Sequence, residues 1–266
     1  MIRNQLKAQQ KGAGLVEMMV VMVLGLVMLG GTGSLYVNFK ESFQVQKSQA
    51  NFLDSFRYSG TLVSGILRQA GYASIMVNGT LLNDKSDVFV VNGNFTASNQ
   101  VVFGEQSAVT NVVQYLQNGS TQTIASLPND SVSIRFMGGT EIFRCLGSQA
   151  NLDGAQYRAT FKVNTDFQLE CEDEIIAGAP LESTTDILVG ENSGSVLSQL
   201  RVLGLGAWYG EDNSGNGSVD RYRRANAVSD WTRVKSVTLR LTVQSGNMQP
   251  RNLNYVVHLP NAPVDA

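Results

Sequence analysis

One stretch near the start limits what this chain can become: Lys11-Gly12-Ala13-Gly14-Leu15-Val16-Glu17, followed by an uncharged run that ends only at Lys40. From Met18 to Val37 the run supplies about the ~20 predominantly apolar residues that a helix needs to cross a bilayer. A single carboxylate, Glu17, sits at the entrance to that run. An ionised side chain within an apolar span is costly, so Glu17 needs a partner of opposite charge. The segment ahead of it carries Arg3, Lys7 and Lys11 and no acidic residue. That bias holds the leader in the cytoplasm and sends the rest of the chain across the membrane.

This pattern resembles the leader of type IV prepilins and the related pseudopilins: a Gly before the cut, an apolar run after it, and Glu at the fifth mature position. On this chain the resemblance implies cleavage between Gly12 and Ala13 by a prepilin peptidase, with methylation of the new amine on Ala13. It also implies that Glu17 pairs with the terminal amine of a neighbouring subunit as helices bundle into a filament. Two positions depart from the usual pattern, Ala13 in place of Phe and Gly14 in place of Ser or Thr. A secretory signal peptide would be cut after its apolar run. There the nearest candidate, Gly30-Gly31-Thr32-Gly33-Ser34, lacks a clean small-x-small site. A plain membrane anchor would not require Glu17.

With 266 residues and a net charge of −2, the chain accommodates one sizeable domain besides the anchor. Neither charge sign is in excess, so no nucleic-acid surface is expected. The two cysteines, Cys145 and Cys171, are expected to form a disulfide in an oxidising compartment. The closed loop would contribute roughly 3 kcal/mol by the chain-entropy account. Two ligands of this kind are too few for a zinc site.

The helical signal continues beyond the apolar run. Phe39, Phe43, Ala50, Leu53, Phe56, Gly60, Val63, Leu67 and Ala70 recur mostly at three or four residues, the stripe of an amphipathic helix. Gly71 then provides a stop. A continuous helix from Ala13 to Ala70 would be roughly 85 Å long. Its cluster Gly30-Gly31-Thr32-Gly33 is the expected weak point, since an interior Gly costs about 1 kcal/mol against Ala. The remainder reads as short strands at 88–91, 101–103, 112–116, 132–136, 142–145, 157–163, 167–171, 200–209, 234–243 and 254–259. In that reading the cysteines fall at strand ends. The expected fold is therefore α+β and type IV pilin-like, a long amino-terminal helix packed on an antiparallel β-rich domain. Its parts are a leader (1–12), a membrane or filament-core half-helix (13–37), an amphipathic half (38–71) and an extracytoplasmic domain (72–266).

Within the prepilins, Leu67-Arg68-Gln69-Ala70-Gly71-Tyr72, Trp208-Tyr209, Asp220-Arg221-Tyr222 and the run from Trp231 to Val237 resemble PilW-type minor pilins. Residues 73–195 carry no recognisable motif. The resemblance implies a low-abundance subunit that helps to initiate pilus assembly at or near the tip. Its expected partners are other minor pilins, the major pilin, the prepilin peptidase and the inner-membrane assembly platform. The protein would sit in the inner membrane with its domain in the periplasm, and later in the pilus, serving attachment and twitching. A J-type pseudopilin of type II secretion and an adhesive tip subunit are the alternatives.

Other candidates carry less chemistry. Asp212, Ser214, Asn216 and Asp220 stand at the first, third, fifth and ninth positions of a calcium-loop pattern with Gly217 at the sixth. Arg223 stands where the terminal Glu belongs, so a weak calcium site and a simple Asn-Gly turn are both open. His258, the only histidine, lies in an apolar strand and is expected to be structural. Trp208, Tyr209 and Trp231 suit core or interface anchors, and Arg221, Arg223 and Arg224 suit a solvated loop. No Gly-x-Ser-x-Gly elbow, phosphate loop or dinucleotide fingerprint is present, so neither catalysis nor an organic cofactor is expected.

Overall fold

The computed structural model describes residues 14–262, apart from 74–75, 78–79, 82–87, 108–110, 118–119, 146, 151, 153, 191–199 and 247. It contains one long helix, α1 (Leu15–Arg68), and antiparallel β-sheets, the α+β arrangement of a pilin-like fold. Two units divide the chain between Lys47 and Ser48.

In the first unit α1 runs unbroken through Gly25, Gly30, Gly31 and Gly33, so the glycine cluster does not end the helix. Thr32 Oγ1 bonds back to the carbonyls of Met28 and Leu29, both at 3.0 Å. Among the described residues, the large apolar side chains from Leu15 to Val45 are more than half exposed. Among the described residues this is the one helix long and apolar enough to cross a membrane.

In the second unit the helix buries one face. Ser59, Val63, Ile66, Leu67 and Ala70 are buried, and Phe52 and Leu62 pack on the core. The buried stripe is thus shorter than the periodicity suggests, because Phe39, Phe43 and Leu53 stay exposed; the side chain of Phe56 lies outside the described residues. Regular helix ends at Arg68, and a turn carries the chain to Gly71. Gly71 has φ +75°, and a Cβ there would lie 2.6 Å from the Asn261 carbonyl oxygen, so the stop needs glycine for both conformation and space. Its N–H donates to the Arg135 carbonyl at 2.9 Å, tying the helix end to the sheet.

The strands are β1 (Met76–Val77), β2 (Thr80–Leu81), β3 (Val102–Glu105), β4 (Asn111–Gln117), β5 (Ser120–Leu127), β6 (Ser131–Met137) and β7 (Gln156–Val163). They continue as β8 (Leu169–Ala177), β9 (Ser183–Val189), β10 (Leu200–Glu211), β11 (Arg221–Arg223), β12 (Val234–Ser245) and β13 (Arg251–His258). A five-stranded sheet has the order β3-β6-β7-β8-β9 and a four-stranded sheet the order β11-β10-β12-β13; β1-β2 and β4-β5 are separate hairpins. Along β7 the alternation is clean. Tyr157, Ala159, Phe161 and Val163 are buried, while Arg158 pairs with Glu174 and Lys162 with Glu170 and Glu172 on β8. The chain entering β6 fastens one sheet to the other. Asp130 donates its N–H to the Leu205 carbonyl and accepts the Ala207 N–H on Oδ2, each at 2.8 Å.

Two expected strands are absent, and at the first a side-chain amide takes the place of a partner strand. Val90 N–H donates to Gln156 Oε1 at 2.9 Å and Gln156 Nε2 donates to the Val88 carbonyl at 3.0 Å, so 88–91 is held without a ladder. At 142–145 only the single bridge Phe143↔Gln149 forms. Five strands have no counterpart in the expected ranges: the two-residue β1 and β2, and β5, β9 and β11, in which Ser, Thr and Arg are frequent. Cys171 also lies within β8, and Cys145 in the loop before β7, so the cysteines are not at strand ends.

Arg135 organises the irregular segment 88–100. The side chain is fully buried on β6, donates to the carbonyls of Val90 (2.8 Å) and Ser98 (2.9 Å), and also to those of Gln100 and Ala97. Phe89 and Phe95 each place a ring centroid 4.8 Å from the guanidinium carbon. Burial brings its pKa down to about 10, which still leaves it charged at neutral pH. A lysine there keeps the charge but not the planar fork that reaches four carbonyls. Arg135→Lys should cost about 2–4 kcal/mol in thermal unfolding, and amide exchange should accelerate in 88–100 while β12 and β13 stay protected.

Candidate assembly site and the 212–220 loop

Gly12 and Ala13, the expected processing site, lie outside the described residues. Glu17 stands in the first turn of α1, its N–H bonded to the Gly14 carbonyl at 2.9 Å. A carboxylate there complements the positive end of the helix dipole, worth about 0.3–1 kcal/mol. Its side chain is exposed, and no ion pair among the described residues involves it. A cation from another molecule therefore has access to it, set within an uncovered apolar surface.

Cys145 and Cys171 form a disulfide with a Cα–Cα distance of 5.9 Å, both residues fully buried. It ties the loop before β7 to the middle of β8, and Arg144 beside it is paired with the buried Asp173 at 2.5 Å.

The loop from Asp212 to Asp220 closes through its own backbone. Asp212 accepts the N–H groups of Gly215 (2.8 Å), Asn216 (3.2 Å) and Gly217 (2.7 Å). Asp220 accepts those of Asn213 (2.8 Å) and Ser214 (2.9 Å). Ser214 Oγ lies 3.3 Å from an oxygen of each carboxylate, whereas Asn216 turns its Oδ1 to the Ser218 N–H at 2.8 Å. Burial pushes the Asp212 carboxyl up, but the donors of Gly217, Gly215, Asn216 and Ser214 outweigh it and hold the group below the usual carboxylate range. A calcium ion would have to compete with five amide hydrogen bonds for these oxygens. Among the described residues no group of three or more His, Cys, Asp or Glu is arranged to hold a metal.

The neighbouring arginines do not form a merely solvated loop. Glu211, fully buried at the end of β10, faces Arg221 Nε at 3.0 Å and Arg223 Nε at 3.2 Å and accepts the Ser229 N–H at 2.8 Å. Arg224 reaches Asp130 at 2.8 Å and lies 4.8 Å from the Trp208 ring, which Arg240 flanks at the same distance. Trp231 packs on Phe103 (4.9 Å) and Tyr209 (4.7 Å), so it anchors the junction of the sheets. His258 is exposed at the end of β13, outside the core its neighbours suggest.

Arg135, Asp130 and Glu211 were not recognisable from the sequence. The one signal was a charged residue inside a strand-like run, as in Val132-Ser133-Ile134-Arg135-Phe136, which reads equally well as an outward-facing position.

Burial raises the Glu211 carboxyl, but Ser229, Arg221 and the Asp230 N–H together bring it below its ordinary value. A depressed carboxylate adds stability above its unfolded pKa and loses it as pH falls through the folded value. Glu211→Gln should therefore cost about 2 kcal/mol at pH 7, a modest figure because both guanidinium groups are partly exposed. Unfolding followed against pH should show that difference constant above about pH 5 and shrinking below about pH 4.

Comparison with curated proteins gives no match, and comparison with solved structures gives none either. Residues 7–33 match the prokaryotic N-terminal methylation motif, a segment that spans the expected cut between Gly12 and Ala13, Glu17 and the start of the exposed apolar helix. That match, on a helix with this surface ahead of antiparallel sheets, supports a type IV pilin-like protein, a pilin or a pseudopilin anchored through its amino-terminal helix, processed by a prepilin peptidase and assembled with other pilins.

Proposed function

We propose that the chain is a minor pilin of a type IV pilus, a structural subunit that helps to initiate assembly at or near the tip. The observation that carries this reading is Glu17 in the first turn of an uncovered apolar helix, inside the methylation motif. Before assembly the leader is cut between Gly12 and Ala13 and the helix waits in the inner membrane with its domain in the periplasm. Neighbouring helices then bundle by apolar contact, and the amine of an adjacent subunit approaches Glu17. A charged pair in a low-dielectric bundle is favourable only when both partners are present. Assembly therefore selects correctly processed, correctly staggered subunits. The protein acts by association rather than catalysis. The PilW-like segments at 67–72, 208–209, 220–222 and 231–237 support the minor-pilin assignment.

The same amino-terminal motif serves a type II secretion pseudopilin of the J type, and one culture separates the two. Deleting the gene should abolish sheared surface pili and leave secreted proteins unchanged; intact pili with blocked secretion would assign the pseudopilin instead. Glu17→Ala should leave leader cleavage intact, read as the mass of the membrane form, while recovery in sheared filaments falls at least tenfold. Normal recovery of that variant would refute the pairing.

A further inference from the structure

Phe167, in the turn between β7 and β8, has φ +61°, and among the described residues no other non-glycine has a positive φ. That conformation is costly for a bulky side chain, and asparagine or glycine fills such a place with less strain. The turn is nevertheless firmly built. Asn164 Oδ1 accepts the N–H groups of Asp166 (3.0 Å) and Gln168 (2.9 Å), and Asn164 Nδ2 donates to Gln168 Oε1 (3.1 Å) and Glu170 Oε2 (3.2 Å). The Phe167 carbonyl accepts the Val202 N–H at 2.7 Å, which brings the start of β10 to the turn.

Arg201, the neighbour of Val202, places its guanidinium carbon 4.0 Å from the centroid of the Phe167 ring. It is half-buried, and among the described residues it makes no hydrogen bond or ion pair; burial alone acts on its pKa, lowering it. Every other described arginine that is not exposed donates to a carbonyl or pairs with a carboxylate, from Arg135 on its four carbonyls to Arg144 on Asp173 and Arg224 on Asp130. A neutral side chain of the same length would pack on the ring without the cost of an unpaired charge. Backbone strain and an unsatisfied cation thus meet at one place, which marks a site shaped for a ligand rather than for the fold.

We propose that Arg201 and Phe167 bind a carboxylate carried on a sugar ring, a uronic acid residue of an acidic polysaccharide. The planar fork of a guanidinium matches the two oxygens of a carboxylate through paired N–H bonds. A phosphate dianion would call for a second cation, and among the described residues Arg201 alone faces this ring. Phe167 is itself only half-buried and offers apolar area beside the charge, suited to the C–H face of a pyranose. The carboxylate of a flexible peptide side chain brings no such rigid face. All these residues lie in the second unit, so the inference goes beyond the assembly reading and does not depend on it.

The test uses the full chain purified in detergent and titrated calorimetrically with trigalacturonate, with its methyl ester and with an oligoglutamate. Saturable binding is expected with the free acid and none with the ester. Arg201→Lys keeps the charge but loses the fork, and should weaken binding at least tenfold. Phe167→Asn suits the same backbone conformation and should weaken it as well, for lack of the ring. Arg201→Met should abolish binding while the thermal midpoint of the unliganded protein does not fall. No heat with trigalacturonate, equal heat with the ester, or tighter binding of the oligoglutamate would overturn the proposal. A lower midpoint for Arg201→Met would overturn it too, by making the guanidinium a part of the fold.

Discussion

An apolar helix surface that its own chain leaves uncovered sets the terms for everything else in this protein. From Leu15 to Val45 the large side chains project outward, and water cannot be their final surroundings. At roughly 25 cal/mol per Å² of apolar area, no modest set of polar contacts offsets that exposure. Lipid or a bundle of like helices must cover it. Within either medium an isolated carboxylate is unfavourable, which gives Glu17 its meaning: the residue is tolerable only where a cation meets it. The constraint also explains why the second unit has a complete core of its own, to which α1 contributes, among the described residues, only from Phe52 onward.

Inside the domain, buried charge fastens irregular backbone to regular sheet. Arg135 gathers the carbonyls of 88–100, Asp130 holds the crossing between the sheets to β10, and Glu211 gathers the segment from Arg221 to Ser229. Each such group is expensive to bury unless nearly every lone pair or proton has a partner. Burial raises the Asp130 carboxyl in spite of the Ala207 and Ser107 amides and Arg224, which shows how closely those costs and gains balance. The arrangement makes each loop dependent on one side chain. It leaves the sheets themselves to ordinary apolar packing between β10, β6 and β7.

Legibility from sequence followed the distance over which a signal acts. A strand at 234–243 was readable because period two is a property of neighbouring residues, yet both faces of β12 are buried and only Arg240 stays exposed. β9 was not, because only Leu188 and Val189 of that edge strand are buried and its outer positions are Ser and Thr. Val88–Val91 looked like a strand by composition, yet the Gln156 side chain took the place of a partner strand, something no local pattern encodes. The Asp212–Asp220 loop had the spacing of oxygen ligands, while the backbone amides that occupy those oxygens belong to the folded turn.

The sequence by itself determined the long helix, its apolar first half, Glu17 near the entrance, the methylation motif and the possibility of a Cys145–Cys171 bridge. These rest on periodicity, length and residue type within one segment. Tertiary structure alone decided that α1 is covered only from Phe52, that Cys171 lies inside β8, and that Arg135, Asp130 and Glu211 hold the loops. Such outcomes depend on which distant segments arrive at a given face, and the energy of a buried charge is set by those neighbours rather than by the residue itself.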